Sequence, residues 1–436
     1  MSSSSGSSSG LAPSDTPAGT RNLLKHIPFV SFVASSTLSR FASQMATVAI
    51  GWQIYDLTGS AFSLGMAGLV QFLPTALLVL VAGHAADRYD RKRVMQLCQC
   101  VAAITAAALA VGSLTGHLTV TWIFIALAVF GTTAAFESPA SAAILPAVAP
   151  EGQLQQATSL EAGAAQVAII AGPAFGGVIY ALAPAVPYLA MAVFWIIGAL
   201  CASALQLARP VVAEDTPTRA DLFGGVRFVR DNPVVLGLIS LDLFAVLFGG
   251  ATALLPIYAR DILHTGPWGL GVLRAAPAVG ALIMTAVLAR YAIKRRAGMR
   301  MFQAVIVFGA ATMVFALSQQ IWLSLLALAV MGAADTVSVV IRFALVQLAT
   351  PDEMRGRVGA VNFMFVSASN ELGEFESGIT AALLGVVPAA VLGGLGTIAV
   401  GLLWMKLFPV LRSVEELEPT SDTTAVSTLV EQPAEI

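Results

Sequence analysis

Ten ionisable side chains stand inside stretches otherwise apolar enough to cross a bilayer: Arg40, Glu137, Glu161, Asp242, Arg274, Asp335, Arg342, Glu371, Glu374 and Glu376. A charge at membrane depth costs at least about 2.5–3.5 kcal/mol on insertion scales, so it is retained mostly where it faces a wet cavity or a partner. Helical spacing gathers several of them with other polar groups. Ser36, Arg40, Ser43 and Thr47 fall on one face, with Gln44 at its border. Thr133, Glu137 and Ser141 share a face beside a kink expected at Pro139. Asp335, Ser338 and Arg342 do the same, as do Ser367, Glu371, Glu374 and Gly378, while Glu376 points elsewhere. Seven acids face three arginines, which leaves four acids without a basic partner. Burial disfavours the charged form of a carboxyl. A carboxyl that exchanges protons while facing a cavity is what proton-coupled movement of a solute requires. The plain alternative for each charge is an ion pair between helices, and Arg274 and Glu376 are read that way. Glu161, only about 10 Å from the inner boundary at about 1.5 Å per residue, is accounted for equally by snorkelling. Glu137→Gln or Asp242→Asn is expected to block transport and leave folding intact.

The elements that position these groups are membrane spans. Of 436 residues, 57% are hydrophobic and 11% charged, with a mean hydropathy of +0.82; a soluble chain carries about 25% charged residues. A net charge of −2 and the lack of a solvent-facing basic stripe give no sign of a nucleic-acid partner. Cys98, Cys100 and Cys201 fall in apolar helices without metal-ligand spacing and read as small hydrophobes. The four histidines lie in loops or near span ends, none with a metal partner one turn away. There is no phosphate-binding glycine loop, no His-Glu-x-x-His and no paired-Asp or Ser/His protease arrangement. An enzyme and direct ATP drive are therefore not expected, and no cofactor beyond a proton gradient is called for.

Twelve segments of about 20 mostly apolar residues can be drawn, and lipid requires all of them to be helices. They run over about 28–56, 62–83, 94–114, 119–146, 154–181 and 186–208, then 233–258, 268–290, 300–317, 321–348, 357–385 and 388–411. With an internal N-terminus, nineteen of the 23 Lys and Arg fall in cytoplasmic segments, three lie within spans, and Arg260 alone lies outside. This bias places both termini in the cytoplasm. Trp52, Trp122, Trp268 and Trp322 come near the outer span ends, where aromatic belts form. The expected organisation is a disordered Ser/Gly-rich tail over 1–27, six helices over 28–208, a linker over 209–232, six more helices over 233–411, and an acidic tail over 412–436. Leu222, Val226 and Val229 give the linker an amphipathic helix lying on the inner surface.

The two sixfold groups repeat. Pro28 and Pro233 open their first spans 205 residues apart. Leu64-Gly65 matches Leu270-Gly271 at 206, and Gly131 matches Gly332 at 201. Pro150-Glu151 matches Pro351-Asp352 at 201. Two duplicated halves place a substrate near the bilayer midplane, with rocking of the halves giving alternating access.

Two motifs add a resemblance. Gly83-His-Ala-Ala-Asp87-Arg88-Tyr-Asp90-Arg91-Lys92-Arg93 resembles the cytoplasmic loop signature of the major facilitator superfamily, with Asp90 where that pattern has glycine. Gly83 would allow close packing, Asp87 would face a helix N-terminus of the other half, and Arg88, Arg91, Lys92 and Arg93 would bind carboxylates at the gate. Gly163, followed by Gly172-Pro173-Ala-Phe-Gly176-Gly177, resembles the superfamily's antiporter motif. Pro173 crowds the carbonyl of Ile169, and the glycines admit a neighbouring helix. Span four lacks the arginine found there in many proton-coupled members. The stretch from Arg355 through Asn362 to Glu371, Glu374, Glu376 and Gly378, with Trp52-Gln53-Ile-Tyr55-Asp56, resembles the enterobactin-exporter-like branch, which also holds macrolide-type efflux proteins.

This resemblance implies an all-α polytopic protein of twelve transmembrane helices in two pseudo-symmetric six-helix bundles, with spans one, four, seven and ten lining the cavity. The cavity and coupling candidates are Arg40, Gln44, Glu137, Asp242, Asp335, Arg342, Glu371 and Glu374. It implies a secondary-active exporter of small amphipathic molecules of siderophore or drug type, driven by proton antiport, in the bacterial plasma membrane. An uptake symporter of the same fold is the alternative; a membrane receptor or intramembrane enzyme is the alternative from another class. A small-molecule substrate and the lipid bilayer are the expected partners, with the chain acting as a monomer.

Overall fold

The computed structural model describes residues 23–205, 219–291, 293 and 295–415. Residues 1–22, 206–218 and 416–436 hold most of the expected tails and the start of the linker, and lie outside it. Twelve long helices follow in order: α1 (Ile27–Thr58), α2 (Ala61–Arg88), α3 (Arg91–Leu114), α4 (Val120–Val148), α5 (Leu154–Tyr180) and α6 (Val186–Ser203), then α7 (Pro233–Phe248), α8 (Gly266–Arg290), α9 (Ala297–Leu317), α10 (Ile321–Ala349), α11 (Arg355–Leu384) and α12 (Val386–Leu407). A linker helix, Arg219–Asp231, precedes α7. Among the described residues there is no strand.

Local signals set the helix limits. Pro28 and Pro233 sit in the first turns of α1 and α7, where a missing N–H costs nothing. Asn232 caps α7 by accepting from the Val234 and Val235 amides. Gly59 ends α1 in the left-handed region at φ 59°. Ten of the helices are long and apolar enough to cross a membrane by composition alone. The exceptions, α1 and α11, carry Arg40, Gln44 and Gln53 or Arg355, Arg357, Glu371, Glu374 and Glu376. They miss the mark because of these polar residues, of which Arg355 and Arg357 lie at an exposed helix end.

The sequence repeat reappears as a repeat of contacts. In the first half α1 packs on α5 and α6, α4 on α2 and α3, and α3 on α6. The second half has the same pattern six helices later: α7 on α11 and α12, α10 on α8 and α9, α9 on α12. Gly131 of α4 leaves no room for a side chain against the Gln71 carbonyl of α2, and Gly332 of α10 has the same relation to the Pro277 carbonyl of α8. The halves meet along two seams, α2 with α11 and α5 with α8. A Cβ on Gly65 would come within 2.9 Å of the Gly378 Cα, and one on Gly177 within 3.0 Å of the Gly271 Cα. Both crossings lie toward the end of the bundle away from the chain termini, hereafter the distal end.

One expectation changes. Span seven is not one helix: α7 stops at Phe248, and the chain continues through a 3-10 turn (Ala251–Leu254), a short helical turn and a π turn (Tyr258–Ile262). Gly249 and Gly250 allow the break, and Pro256 lacks the N–H that the Thr252 carbonyl would need. The helices α4 and α5, by contrast, run on through Pro139, Pro146 and Pro173.

Candidate functional site: a central cavity and three charged clusters

A cavity of about 150 Å³ lies between the halves. Its first-half wall is Ser43, Thr47 and Ile50 of α1, Gln71 of α2, Phe130, Thr133 and Glu137 of α4, and Trp195 of α6. Across from these stand Ala253 and Pro256 of the broken α7 segment, Arg274 of α8 and Glu374 of α11. Toward the terminus end it continues into a second pocket with Ser36, Ser39, Arg40, Gln44, Glu137, Ser138 and Ser141. At the distal end the halves are joined by polar contacts as well as the glycine crossings. Arg260 pairs with Asp56 at 2.7 Å and lies over the Tyr55 ring, and the Tyr55 hydroxyl bonds Asp261.

The ten intramembrane charges resolve into three arginine pairs and four other acids. In the first half Arg40 of α1 pairs with Glu161 of α5 at 3.1 Å, with the arginine side chain 49% exposed. Glu161 therefore has a partner and does not simply snorkel. Glu137 accepts instead from the Gln99 amide of α3 at 2.8 Å. Gln99 also meets Ser35 of α1, and Trp195 donates to Ser39 at 3.1 Å.

In the second half Asp242 of α7 pairs with Arg342 of α10, the two side chains 6% and 10% exposed. Asp335 lies beside them in a small separate pocket with Ser338 and Thr397. These three do not line the central cavity, and α10 is absent from its wall. This burial argues against the expectation that Asp242→Asn leaves folding intact, because it would leave Arg342 without its counter-charge.

The third cluster sits at the seam of α2, α8 and α11. Arg274 pairs with Glu374 at 3.3 Å, and its other nitrogen donates at 3.4 Å to the Thr252 carbonyl, which also accepts from the Leu255 amide. Glu371 and Glu374 both crowd Gly68. Glu376 accepts from Thr380 one turn along α11, so its partner is a hydroxyl and not an arginine.

The antiporter-motif glycines divide their contacts. Gly172 and Gly176 pack on Gln44 and Met45 of α1, while Pro173 and Gly177 pack on α8 at Gly271. A Cβ on Gly163 would meet nothing within 4 Å. In the last turns of α2, Gly83 likewise stands in open space, against the expectation of close packing. The side chain of Asp87 lies outside the described residues. Asp90 explains its departure from glycine: its backbone is not left-handed (φ −60°), and its carboxylate caps α3 by accepting from the Lys92 amide. Lys92 binds the Ser203 and Leu205 carbonyls at the end of α6, both at 2.7 Å. Arg91 reaches the Ala143 carbonyl, Arg93 lies 3.6 Å from Asp90, and Arg88 is exposed.

Sequence reasoning missed Gln99, Ser35, Ser39, Gln71 and Trp195. A signal existed for Gln99, which with Gln96 brings a carboxamide into the apolar α3, but amides were not counted with the charges. The distal contacts were half visible: Arg260 stood out as the single outer arginine, yet nothing in the spacing tied it to Tyr55 and Asp56.

The family described as transmembrane secretion effector matches residues 19–434. The chain belongs to that family of the major facilitator superfamily. Macrolide efflux protein A of Streptococcus pyogenes is 23% identical, over 90% of this chain and 98% of the relative. The enterobactin exporter EntS of Citrobacter koseri is 26% identical over 92% and 97%. The multidrug efflux pump Tap of Mycolicibacterium fortuitum is 27% identical over 81% and 89%. Among solved structures, a bacterial homolog of the human lysosomal transporter Spinster, inward-facing and occupied, has a TM-score of 0.70 at 14% identity, covering 88% of this chain and 98% of that one. The nucleoside transporter NupG gives 0.67 at 14%, covering 87% and 98%. The protein is thus an integral membrane transporter.

Proposed function

We propose that the chain exports small amphipathic molecules of siderophore or drug type by alternating access, in exchange for protons. The observation that carries this reading is the central cavity itself. It is shut distally by the Asp56–Arg260 pair and the glycine crossings, and it continues as a polar pocket toward the end that holds the termini. Basic residues gather in the loops at that same end, from Arg88 to Arg93, Arg290 to Arg300 and Arg355 to Arg357, whereas Arg260 stands alone distally. The positive-inside bias makes the terminus end cytoplasmic. The cavity is then loaded from the cytoplasm, as an exporter needs.

The wall supports an amphipathic ligand. Phe130 stacks on Trp195 with ring centroids 5.2 Å apart, and Leu127 and Ile50 extend the apolar side. Arg274, Glu374, Glu137 and Gln71 supply hydrogen-bonding groups opposite and below. Glu137 is the best coupling carboxyl: it is the one intramembrane acid of the first half without an arginine, and it lines both the cavity and the inner pocket. Proton uptake there and substrate occupancy share a single space.

The test compares a deletion strain with one expressing the protein, for accumulation and toxicity of a siderophore panel and a drug panel, with and without an uncoupler. Export predicts higher accumulation in the deletion strain for at least one compound, with the difference removed by the uncoupler. Lower accumulation in the deletion strain would mean uptake. Equal accumulation across both panels would overturn the substrate class.

A further inference from the structure

Gln99 is fully buried at the centre of the first half, and its carboxamide touches two groups on two other helices. Its Nε2 donates to Glu137 Oε1 of α4 at 2.8 Å. Ser35 of α1 stands behind it, with the hydroxyl oxygen 3.1 Å from Nε2 and 3.3 Å from Oε1. Gly198 of α6 closes the remaining side; a Cβ there would lie 3.1 Å from the Gln99 carbonyl oxygen. The serine is thus within bonding range of both ends of the amide. A hydroxyl both donates and accepts, so it can serve whichever end is turned toward it.

We propose that Gln99 and Ser35 form a two-state amide rotor that follows the protonation of Glu137. With the carboxyl ionised, Nε2 donates to it and Oε1 accepts from Ser35. With the carboxyl protonated, the amide turns: Oε1 accepts the new O–H and Nε2 donates to Ser35. In each state the amide atom turned toward Glu137 suits the protonation of the carboxyl and the other meets Ser35, which an apolar or fixed-donor residue at this position could not achieve. Gln99 is a positioning residue, acting through Glu137. The rotor also links proton uptake to the cavity wall, because the Ser39 hydroxyl that holds the Trp195 indole is within bonding reach of the same carboxyl.

Other charged or titratable groups face Glu137 and belong to the same balance. They are Arg40 of α1, itself paired with Glu161 of α5, and Cys98 of α3. Across the cavity stand Arg274 of α8 and Glu374 of α11. The stretches of α2 and α6 on the cavity wall contribute Leu64, Ala67, Gly68, Gln71 and Trp195, none of them charged.

The proposal rests on the proton-coupling reading, and its test uses the proton as the probe, so that no substrate need be known. The full-length protein, reconstituted in lipid, is titrated while its pH-difference infrared spectrum is recorded. The protonated-carboxyl band missing from Glu137→Gln assigns Glu137, and the side-chain amide band missing from Gln99→Met assigns Gln99. The expected result is that both bands change at one midpoint in the wild type. In Gln99→Met the Glu137 midpoint moves about one pH unit toward alkaline, because a bond to the charged form is worth roughly twice one to the neutral form. A Glu137 band that titrates while the Gln99 amide stays silent overturns the rotor and leaves proton coupling standing. A Glu137 band that never titrates overturns both. Should Gln99→Met fail to fold, the glutamine band is assigned by side-chain isotope labelling, and the coincidence of the two wild-type midpoints decides.

Discussion

The two halves share one scaffold and treat charge in opposite ways. In each, the first and sixth helices are tied by a tryptophan donating to a serine at 3.1 Å, Trp195 to Ser39 and Trp404 to Ser240. In each, the fourth helix carries the polar face. The residue at Glu137 corresponds by the 201-residue offset to Ser338, and Ser141 to Arg342. The first half therefore holds an acid against a neutral amide and leaves its arginine pair half exposed. The second half buries one pair, Asp242–Arg342, away from the cavity and sets the other, Arg274–Glu374, on its wall. A carboxyl facing a neutral donor can change protonation without stranding a counter-charge; a carboxylate locked to a buried arginine cannot. Duplication gave both halves the frame, and divergence set a neutral amide beside Glu137 in one and a buried arginine beside Asp242 in the other.

The sharpest way to break this contrast is to remove one partner of the buried pair. Arg342→Met or Asp242→Leu alone is expected to cost about 3–5 kcal/mol, and the double replacement to recover most of it. Unfolding in mild detergent measures both. A single variant as stable as the wild type would show that the second half's pair is not the fixed element described.

Glu137→Gln comes next, with the opposite signature. The amide keeps the shape, so the melting temperature stays close to wild type. Losing an ionisable group bonded at about 1.5–3 kcal/mol corresponds to at least a tenfold drop in pH-driven export. Flux in vesicles with an imposed pH gradient reads the result; wild-type flux would remove Glu137 from coupling and erase the contrast between the halves.

How far the sequence foretold this contrast depends on the kind of signal. Twelve spans, the duplication and the terminus-end basic loops were legible because hydropathy, repeated Gly and Pro positions and Lys/Arg bias are one-dimensional. The excess of four acids over arginines was also legible. Which acid found which arginine was not, since Arg40 meets Glu161 and Arg274 meets Glu374 across 121 and 100 residues of chain. Nor was the break in α7, where the Gly249-Gly250 pair and Pro256 sit inside a run hydrophobic enough to read as one helix. The assumption that every fourth-position helix lines the cavity failed at α10 for a related reason: the inward bend of the chain after Phe248 places Ala253 and Pro256 on that wall.

The distal clasp sharpens the comparison from outside the halves. Arg260→Ala removes the Asp56 pair and the contact over Tyr55, and exposed pairs contribute about 0.2–1 kcal/mol. A shift of that size changes the balance between distally shut and open forms by up to about fivefold. Labelling of a cysteine placed at Gly51, against Pro256, should rise by that factor in Arg260→Ala over the cysteine variant alone. No rise would mean that the glycine crossings hold the distal end without help.

The smallest effect belongs to the first half's own ion pair. Arg40 is half exposed in a polar pocket with Ser36, Ser39, Gln44 and Ser141, so solvent screens its attraction to Glu161 and hydrates either partner left alone. Arg40→Gln is expected to lower stability by less than about 1 kcal/mol, against several for Arg342→Met. Raising the salt concentration should shrink the Arg40→Gln effect further and leave the Arg342→Met effect unchanged, because buried pairs are screened much less. Equal losses for the two arginines would mean that the pocket around Arg40 is dry, and the first half would then have no wet route from Glu137 to the terminus end.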